Sequence, residues 1–226
     1  MKIVVLPGLD GTGHLLGDFA DALSDEHRVE VLSYPLDMTS YAEIAEWLAR
    51  QRHDEEFAIV AESFSGPLAI DLAAAKPDGL RAVIFVATFA CAPRHVPQPL
   101  IRLMKILPVP RLALAWLSLP FVMGGKGTAE FRANYQRALR KVPMSSMLSR
   151  LAAVLTVDKR DMLPKVTVPC IYLHAEKDRL VPLSAAADFA PICDAVISVD
   201  APHFLLQTRP IEAAQHVAHF LSKRQQ

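Results

Sequence analysis

A serine with small neighbours lies at the junction of a predicted strand and a predicted helix. The run Ala-Glu-Ser-Phe-Ser at positions 61–65 follows the apolar strand Phe57–Ala61 and precedes the helical pattern Gly66–Ala75. A nucleophilic serine on such a sharp turn needs small residues two positions before and after it, because the flanking backbones come close together. Ser63 meets this requirement, with alanine and serine in place of two glycines. The run alone also fits an ordinary helix N-cap serine.

Ser65 is the alternative nucleophile in the same run. With Ser65 as the centre, the second small position would be occupied by Pro67, whose ring is bulky for such a turn. We therefore interpret Ser65 as the small residue that lets the helix begin.

A base and an acid follow in the order that a serine nucleophile requires. Asp178 lies in the loop after the predicted strand Cys170–His174, and His203 lies between the last strand and the final helix. Alone, Asp178 fits a turn residue and His203 a solvated loop histidine. Together with Ser63, each lies at the carboxyl end of a predicted strand, where open α/β sheets hold their ligands. The serine, acid, histidine order predicts a proton relay for acyl transfer.

The first strand is followed by a glycine-containing turn at residues 7–13. Acyl transfer needs backbone amides to stabilise the oxyanion, and the amides of Leu9 and Phe64 are the candidates. Phosphate binding is the competing interpretation of the glycines, but neither Gly-x-Gly-x-x-Gly nor a P-loop lysine has the required spacing. His14 follows this turn and is a candidate substrate contact, with a surface histidine at a helix start as the alternative.

Strand-like runs alternate with helical patterns along the chain, which predicts a mainly parallel, six-stranded sheet flanked by helices. The predicted strands are Lys2–Leu6, Val29–Ser33, Phe57–Ala61, Ala82–Ala87, Cys170–His174 and Ala195–Val199. The predicted helices are His14–Leu23, Tyr41–Arg52, Gly66–Ala75, Ser184–Phe189 and Pro210–Ser222.

Residues 94–165, here called the insertion, interrupt this alternation. Prolines divide the insertion into short helical patterns, among them Thr128–Lys141, and no strand-like run occurs in it. We predict a helical cap over the carboxyl edge of a core formed by residues 1–93 and 166–226. The apolar residues of the insertion either pack the cap onto the sheet or line an acyl pocket, with Trp116 and Phe121 as candidate pocket residues.

The charge of the chain is uneven although its formal sum is zero. The insertion contains 13 Lys and Arg but only 3 Asp and Glu. Such charge runs are usually solvated surface, and the zero total gives no indication of nucleic-acid binding. Because the excess is confined to the predicted cap, it also fits a basic rim for an anionic acyl substrate or an acidic acyl carrier protein. Arg132, Arg137 and Arg140 are the candidate contacts.

Three cysteines without a Cys-x-x-Cys pair predict free, buried thiols. The apolar run at the N-terminus is too short for a signal peptide, and no other run reaches the length of a membrane span. We therefore expect a cytoplasmic protein without a membrane span. The chemistry expected of the relay needs no metal or cofactor.

The assembled pattern resembles the α/β-hydrolase superfamily, in particular small capped serine esterases such as the pimeloyl-carrier-protein methyl ester carboxylesterases. The resemblance implies that Ser63 is the nucleophile, His203 the base and Asp178 the acid, with the Leu9 and Phe64 amides as the oxyanion hole. Pro7 replaces the common histidine before Gly8, and the first strand corresponds to the third family strand, which implies a truncated sheet.

The activity expected from this resemblance is that of a carboxylesterase, acting on an ester or a thioester. An acyltransferase with the same three residues, and a ligand-binding protein that keeps the fold without turnover, remain alternatives.

Overall fold

The computed structural model describes residues 1–51, 55–97, 99–101, 119–124 and 128–223. Most of the first half of the insertion, including the candidate Trp116, lies outside the described residues.

Six parallel strands form one sheet in the order β2-β1-β3-β4-β5-β6. The strands are β1 (Lys2–Leu6), β2 (Arg28–Val31), β3 (Phe57–Glu62), β4 (Leu80–Val86), β5 (Cys170–Ala175) and β6 (Ala195–Val199). The predicted fold class is confirmed, and the predicted strand bounds differ from these by at most two residues. Strand β2 lies on one side of β1, whereas β3 and the later strands lie on the other side. Such a topological switch point leaves a crevice at the carboxyl ends of the strands.

Helices cover both faces of the sheet because the strands are apolar on both sides. The helices of the core are α1 (Gly17–Ser24), α2 (Tyr41–Ala49), α3 (Gly66–Ala74), α6 (Leu183–Ala187), α7 (Leu205–Thr208) and α8 (Pro210–Ser222). Alternate residues of β1 enter different clusters: Val4 and Leu6 pack with α2 and α3, and Ile3 and Val5 with α1 and α8. The two faces therefore hold separate apolar cores.

Helix α1 begins three residues later than the sequence predicted. Residues 11–16 form a loop instead, in which Gly11 and Gly13 adopt positive φ and the Leu16 amide donates to the Gly13 carbonyl. The glycines permit this left-handed backbone, which a helix cannot contain. The loop after β1 is thus longer than expected and reaches the carboxyl edge of the sheet.

The described part of the insertion contains helices α4 (Ala129–Lys141) and α5 (Met144–Val154) and a 3-10 turn at Arg160–Lys165. The two ends of the insertion meet, because the Ala92 amide donates to the Val157 carbonyl and the Lys159 amide donates to the Ala90 carbonyl, each at 2.8 Å. The chain therefore leaves the sheet after β4 and returns to it at nearly the same point.

The three cysteines are free, as predicted. Cys170 is buried, whereas Cys91 and Cys193 are only half-buried, so the prediction of burial was wrong for these two. In the described part of the chain, every helix is too short or too polar to cross a lipid bilayer.

Candidate active site

Ser63 lies on a strained turn directly after β3. Its φ of 48° is in the left-handed region, which is costly for a residue with a side chain and is typical of functional turns. The turn is held by Thr88, whose hydroxyl donates to the Ser63 carbonyl. A Cβ on Gly66 would overlap the Thr88 side chain, so glycine is required where α3 begins. Position 66 therefore also requires a small residue, in addition to positions 61 and 65, where the sequence predicted one.

Ser63, His203 and Asp178 form one continuous chain of hydrogen bonds. The Ser63 hydroxyl oxygen lies 2.8 Å from His203 Nε2, and His203 Nδ1 lies 2.7 Å from Asp178 Oδ2. The ionised carboxylate only accepts, so the neutral imidazole carries its proton on Nδ1 and leaves Nε2 free to accept from Ser63. The structure thus brings together three residues that are far apart in the sequence.

The Asp178 carboxylate is fixed on its other side by backbone amides. Its Oδ1 accepts hydrogen bonds from the amides of Leu180 and Val181 at 2.8 and 2.9 Å. The side chains of Asp178 and His203 are 1% and 4% exposed, so little water competes for their contact. Burial disfavours the imidazolium, but the charge and hydrogen bond of Asp178 outweigh it, and the pKa of His203 lies above its ordinary value.

Ser65, the alternative nucleophile, is fully buried and has a structural role. Its hydroxyl donates to the Pro7 carbonyl, and it lies 2.6 Å from the Tyr34 hydroxyl, which must then donate to it. These bonds join the turn after β3 to the loop after β1. The Ser65 hydroxyl is therefore already committed to protein partners.

Leu9 and Phe64, the candidate oxyanion donors, line the same cavity as Ser63 and His203. Phe64 is buried and stacks on Tyr41, with ring centroids 4.8 Å apart. Packing of this kind fixes the backbone of the turn, and with it the direction of its amides.

A buried arginine of the insertion holds the loop that contains Leu9. Arg150 in α5 is 0% exposed and donates to the carbonyls of Asp10 at 2.8 Å and Leu9 at 3.4 Å. It also donates to the carbonyls of Pro35 and Met38. A side chain on Gly11 would overlap the guanidinium. Sequence reasoning counted Arg150 only as part of the basic charge, although it lies on the same helical face as Met147 and Val154.

Glu62, which precedes the serine, was also missed. Its side chain is 3% exposed, and its Oε1 accepts a hydrogen bond from Gln207 Nε2 at 2.7 Å. Burial raises the pKa of Glu62 to about 7. An acidic residue directly before the predicted nucleophile is a signal that the sequence contained, at the second position of the motif Ala-Glu-Ser-Phe-Ser.

The cavity above Ser63 has a volume of about 310 Å³, within the usual range for small-molecule sites. Its wall from the core contains the polar groups of Asp10, Glu62, Ser63 and His203. Its wall from the insertion is mainly apolar and is formed by Arg94, Val122, Tyr135, Leu139, Met147, Leu148, Leu151, Val154 and Leu155. The shape and lining suit a mainly hydrocarbon ligand group beside the serine.

The candidate substrate contacts that the structure describes do not line this cavity. Arg132, Arg137 and Arg140 are exposed on α4, whereas Tyr135 and Leu139 of the same helix are buried. His14 is exposed, and its Nε2 accepts from Lys141 Nζ at 2.8 Å. Phe121 is 48% exposed, while its neighbour Val122 lines the cavity. Within the described ranges, the basic residue on the wall is Arg94, whose Nη2 donates to the Arg179 carbonyl.

The residues that the structure describes contain no group of three or more His, Cys, Asp or Glu side chains able to hold a metal ion.

Solved structures of the same fold carry several activities. The chain is 18% identical to the enol-lactonase from Burkholderia xenovorans LB400, with a TM-score of 0.81, 98% of this chain covered and 91% of that one. It is 14% identical to the esterase EaEST from Exiguobacterium antarcticum, with a TM-score of 0.83 and coverage of 98% and 92%. It is 16% identical to MenH from S. aureus, with a TM-score of 0.80 and coverage of 100% and 95%.

No curated protein sequence matches the chain. At these identities the structural likeness shows the fold alone. The model of the alpha/beta hydrolase family, however, matches residues 3–216, nearly the whole chain. The chain belongs to the α/β-hydrolase family.

Proposed function

We propose that this protein is a serine hydrolase that cleaves a carboxylic ester through an acyl-enzyme on Ser63. The observation that carries the proposal is the relay from Ser63 through His203 to Asp178, which opens on a largely apolar cavity. A serine hydroxyl is a weak nucleophile at its own pKa, and an oriented imidazole is the usual means of activating it.

In the acylation step, Ser63 Oγ attacks the ester carbonyl carbon as its proton passes to His203 Nε2. The negative charge that develops on the carbonyl oxygen is stabilised by the amides of Leu9 and Phe64, and losing one such donor typically costs about 2.7–4 kcal/mol. The tetrahedral intermediate expels the alcohol, which takes the proton from His203. The acyl group remains on Ser63.

In the deacylation step, His203 removes a proton from water as the water oxygen attacks the acyl carbon. The carboxylic acid leaves, and Ser63 Oγ recovers its proton from His203. Asp178 stays ionised throughout and stabilises the imidazolium formed in each half-reaction. The cycle consumes one ester and one water and needs no further group.

The cavity favours an acyl chain that is mainly hydrocarbon. The insertion wall would surround this chain, whereas the exposed arginines of α4 lie outside the cavity. If the substrate carries an anionic acyl terminus, Arg94 is the residue we assign to it, because Arg94 is on the wall. An acidic carrier would then contact the outer surface of the insertion.

The proposed nucleophile is tested with a fluorophosphonate probe, which labels activated serines. We expect labelling of the wild type and of Ser65→Ala, but not of Ser63→Ala. Labelling that persists in Ser63→Ala would assign the nucleophile to another residue. A folded wild type that is neither labelled nor active on any ester would favour the ligand-binding alternative.

The substrate is tested with p-nitrophenyl esters from acetate to decanoate, beside the methyl ester of a dicarboxylic acyl carrier. We expect kcat/KM to rise from acetate to a medium chain, since each buried methylene adds about 0.8 kcal/mol of transfer free energy. Acetate as the best ester would contradict an acyl-binding role of the cavity. Analysis of products with water and alcohol in competition separates hydrolysis from acyl transfer.

A further inference from the structure

Glu62 connects the serine turn to the helix that follows the histidine. Its Oε1 accepts from Gln207 Nε2 at 2.7 Å, and Gln207 belongs to α7, which begins two residues after His203. The side chain is nearly excluded from solvent. A buried carboxylate is costly unless its environment compensates for the loss of water. The contacts around the Glu62 carboxyl group therefore determine how readily it ionises.

The other oxygen of Glu62 faces the loop after β1. A Cβ placed on Gly8 would lie 3.3 Å from Glu62 Oε2, and the Gly8 amide favours the ionised carboxylate. Gly8 immediately precedes Leu9, the proposed oxyanion donor. The Glu62 side chain thus contacts the loop after β1 and helix α7, while its own backbone leads into the serine turn.

Two charged groups face Glu62 from the neighbouring elements. His203, from the loop after β6, favours its ionised form, and Asp10, from the loop after β1, opposes it. Burial is the largest influence and raises the pKa of Glu62 to about 7. Glu62 in turn raises the pKa of His203, after the larger effects of burial, which lowers it, and of Asp178, which raises it. Asp178 and Glu62 therefore both favour the imidazolium form of His203.

We propose that Glu62 is a positioning residue for the reaction: bonded to Gln207 and packed against Gly8, it lines the cavity together with His203 and adds a second negative charge to that of Asp178. This inference rests on the proposed function of Ser63. As Ser63 Oγ bonds to the acyl carbon, its proton moves to His203 Nε2, and the new positive charge is stabilised by both carboxylates. Glu62 itself gains and loses no bond and does not touch the acyl group.

The proposal predicts a specific change in the pH dependence of Glu62→Gln. The amide keeps the size of the side chain and an acceptor for Gln207 but removes the charge. We expect kcat at high pH to fall up to about tenfold and the rising limb of the profile to move to lower pH, because the imidazolium loses one of the two negative charges that stabilise it. KM should change less than twofold. A purely structural role would lower kcat without moving the limb.

Two further variants separate the charge from the hydrogen bond. Gln207→Leu removes a hydrogen bond that favours the ionised carboxylate but leaves the carboxyl group, so the limb should move in the same direction as in Glu62→Gln but less far. Glu56→Gln removes an exposed carboxylate that pairs with Arg81, and it should match the wild type in every respect. If the limb moves equally in Gln207→Leu and in Glu62→Gln, or in neither, the charge of Glu62 has no part in the reaction.

A titration by NMR tests the same contact without turnover. In protein labelled at histidine and carrying Ser63→Ala, the His203 signal is assigned by its loss in His203→Ala. We expect Glu62→Gln to lower the pKa of His203, because a negative charge that favours the imidazolium is removed. An unchanged His203 titration would overturn the inference even if the ester is hydrolysed. A lowered pKa in a protein that hydrolyses no ester would keep the contact and reject the proposed function instead.

Discussion

The two walls of the cavity differ in chemistry. The core wall presents polar groups at the ends of β1, β3 and β6, and most of them are bonded to one another or to backbone. As far as the structure describes it, the wall from the insertion presents mainly aliphatic and aromatic side chains through α4 and α5, with Arg94 as its charged residue. One wall is suited to stabilising charge and the other to excluding water.

This difference separates two kinds of effect. In the proposed reaction, groups on the core wall act on charges that change, so their loss should reduce kcat. Side chains on the insertion wall would contact the unreacting part of the substrate, so their replacement should change which acyl chain is preferred. Arg150 is an exception, because it lies in the insertion but donates hydrogen bonds to carbonyls of the loop after β1.

The largest effect is expected on the core wall, in Asp178→Asn. The amide no longer stabilises the imidazolium and can misorient the imidazole, so kcat should fall about 10³–10⁴-fold. Removing this charge also lowers the pKa of His203, which shifts the rising limb of the residual activity to lower pH. Stopped-flow or steady-state rates between pH 5 and pH 9, with circular dichroism as the control for folding, measure both. A variant with wild-type kcat would remove Asp178 from the relay.

The second largest effect is expected for Arg150, which lies in the insertion but supports the loop after β1. Arg150→Met leaves four backbone carbonyls without their donor and Asp10 without a nearby cation, so stability should fall by about 3–5 kcal/mol in urea denaturation. The matched control is Arg132→Met on α4, which is exposed and should cost less than about 0.5 kcal/mol. Equal costs would mean that the buried arginine is no more important than a surface one.

A smaller effect is expected from narrowing the insertion wall. Leu151 lines the cavity, and Leu151→Phe should shift the best p-nitrophenyl ester to a shorter chain, with kcat/KM for decanoate reduced about 10-fold and that for acetate little changed. Leu183→Phe, on the exposed start of α6, is the control and should keep the wild-type preference. Loss of activity on every chain length alike would place Leu151 among the groups that support the reaction itself.

The smallest effect is expected from the exposed arginines. Replacing Arg132, Arg137 and Arg140 together by alanine should leave kcat/KM for neutral esters within about twofold, because exposed charges are screened by salt. Arg94→Gln, by contrast, should raise KM for an ester with an anionic acyl terminus at low salt. If the triple variant loses more anionic-ester activity than Arg94→Gln, the charge preference belongs to α4 and not to the wall.

The sequence predicted the elements of the core well because their signals are local. Buried parallel strands such as β3 and β5 read as largely apolar runs, which Ser63 and Asp178 follow, and His203 follows the edge strand β6. The order of three residue types after three strands was enough to predict where they meet. The bounds of α1 were less predictable, since left-handed glycines in the preceding loop replaced its first turn.

Contacts between distant residues of ordinary type were not predictable. The hydrogen bond between Glu62 and Gln207 joins residues that are 145 positions apart, and no sequence motif around either residue indicates the other as its partner. Arg150 had a signal in its helical face, but its four carbonyl partners belong to two loops whose paths no local pattern specifies. A count of charged residues does not distinguish Arg150 from Arg132, although Arg150 is buried and Arg132 is exposed.

The central claim is that the acyl group is transferred to Ser63. The most direct measurement is mass spectrometry of protein quenched in acid during turnover of a medium-chain p-nitrophenyl ester, followed by peptide mapping. We predict a mass increase equal to one acyl group, located on the peptide that contains Ser63 and absent in Ser63→Ala. An acyl group on any other residue, or steady hydrolysis by Ser63→Ala at the wild-type rate, would contradict the account.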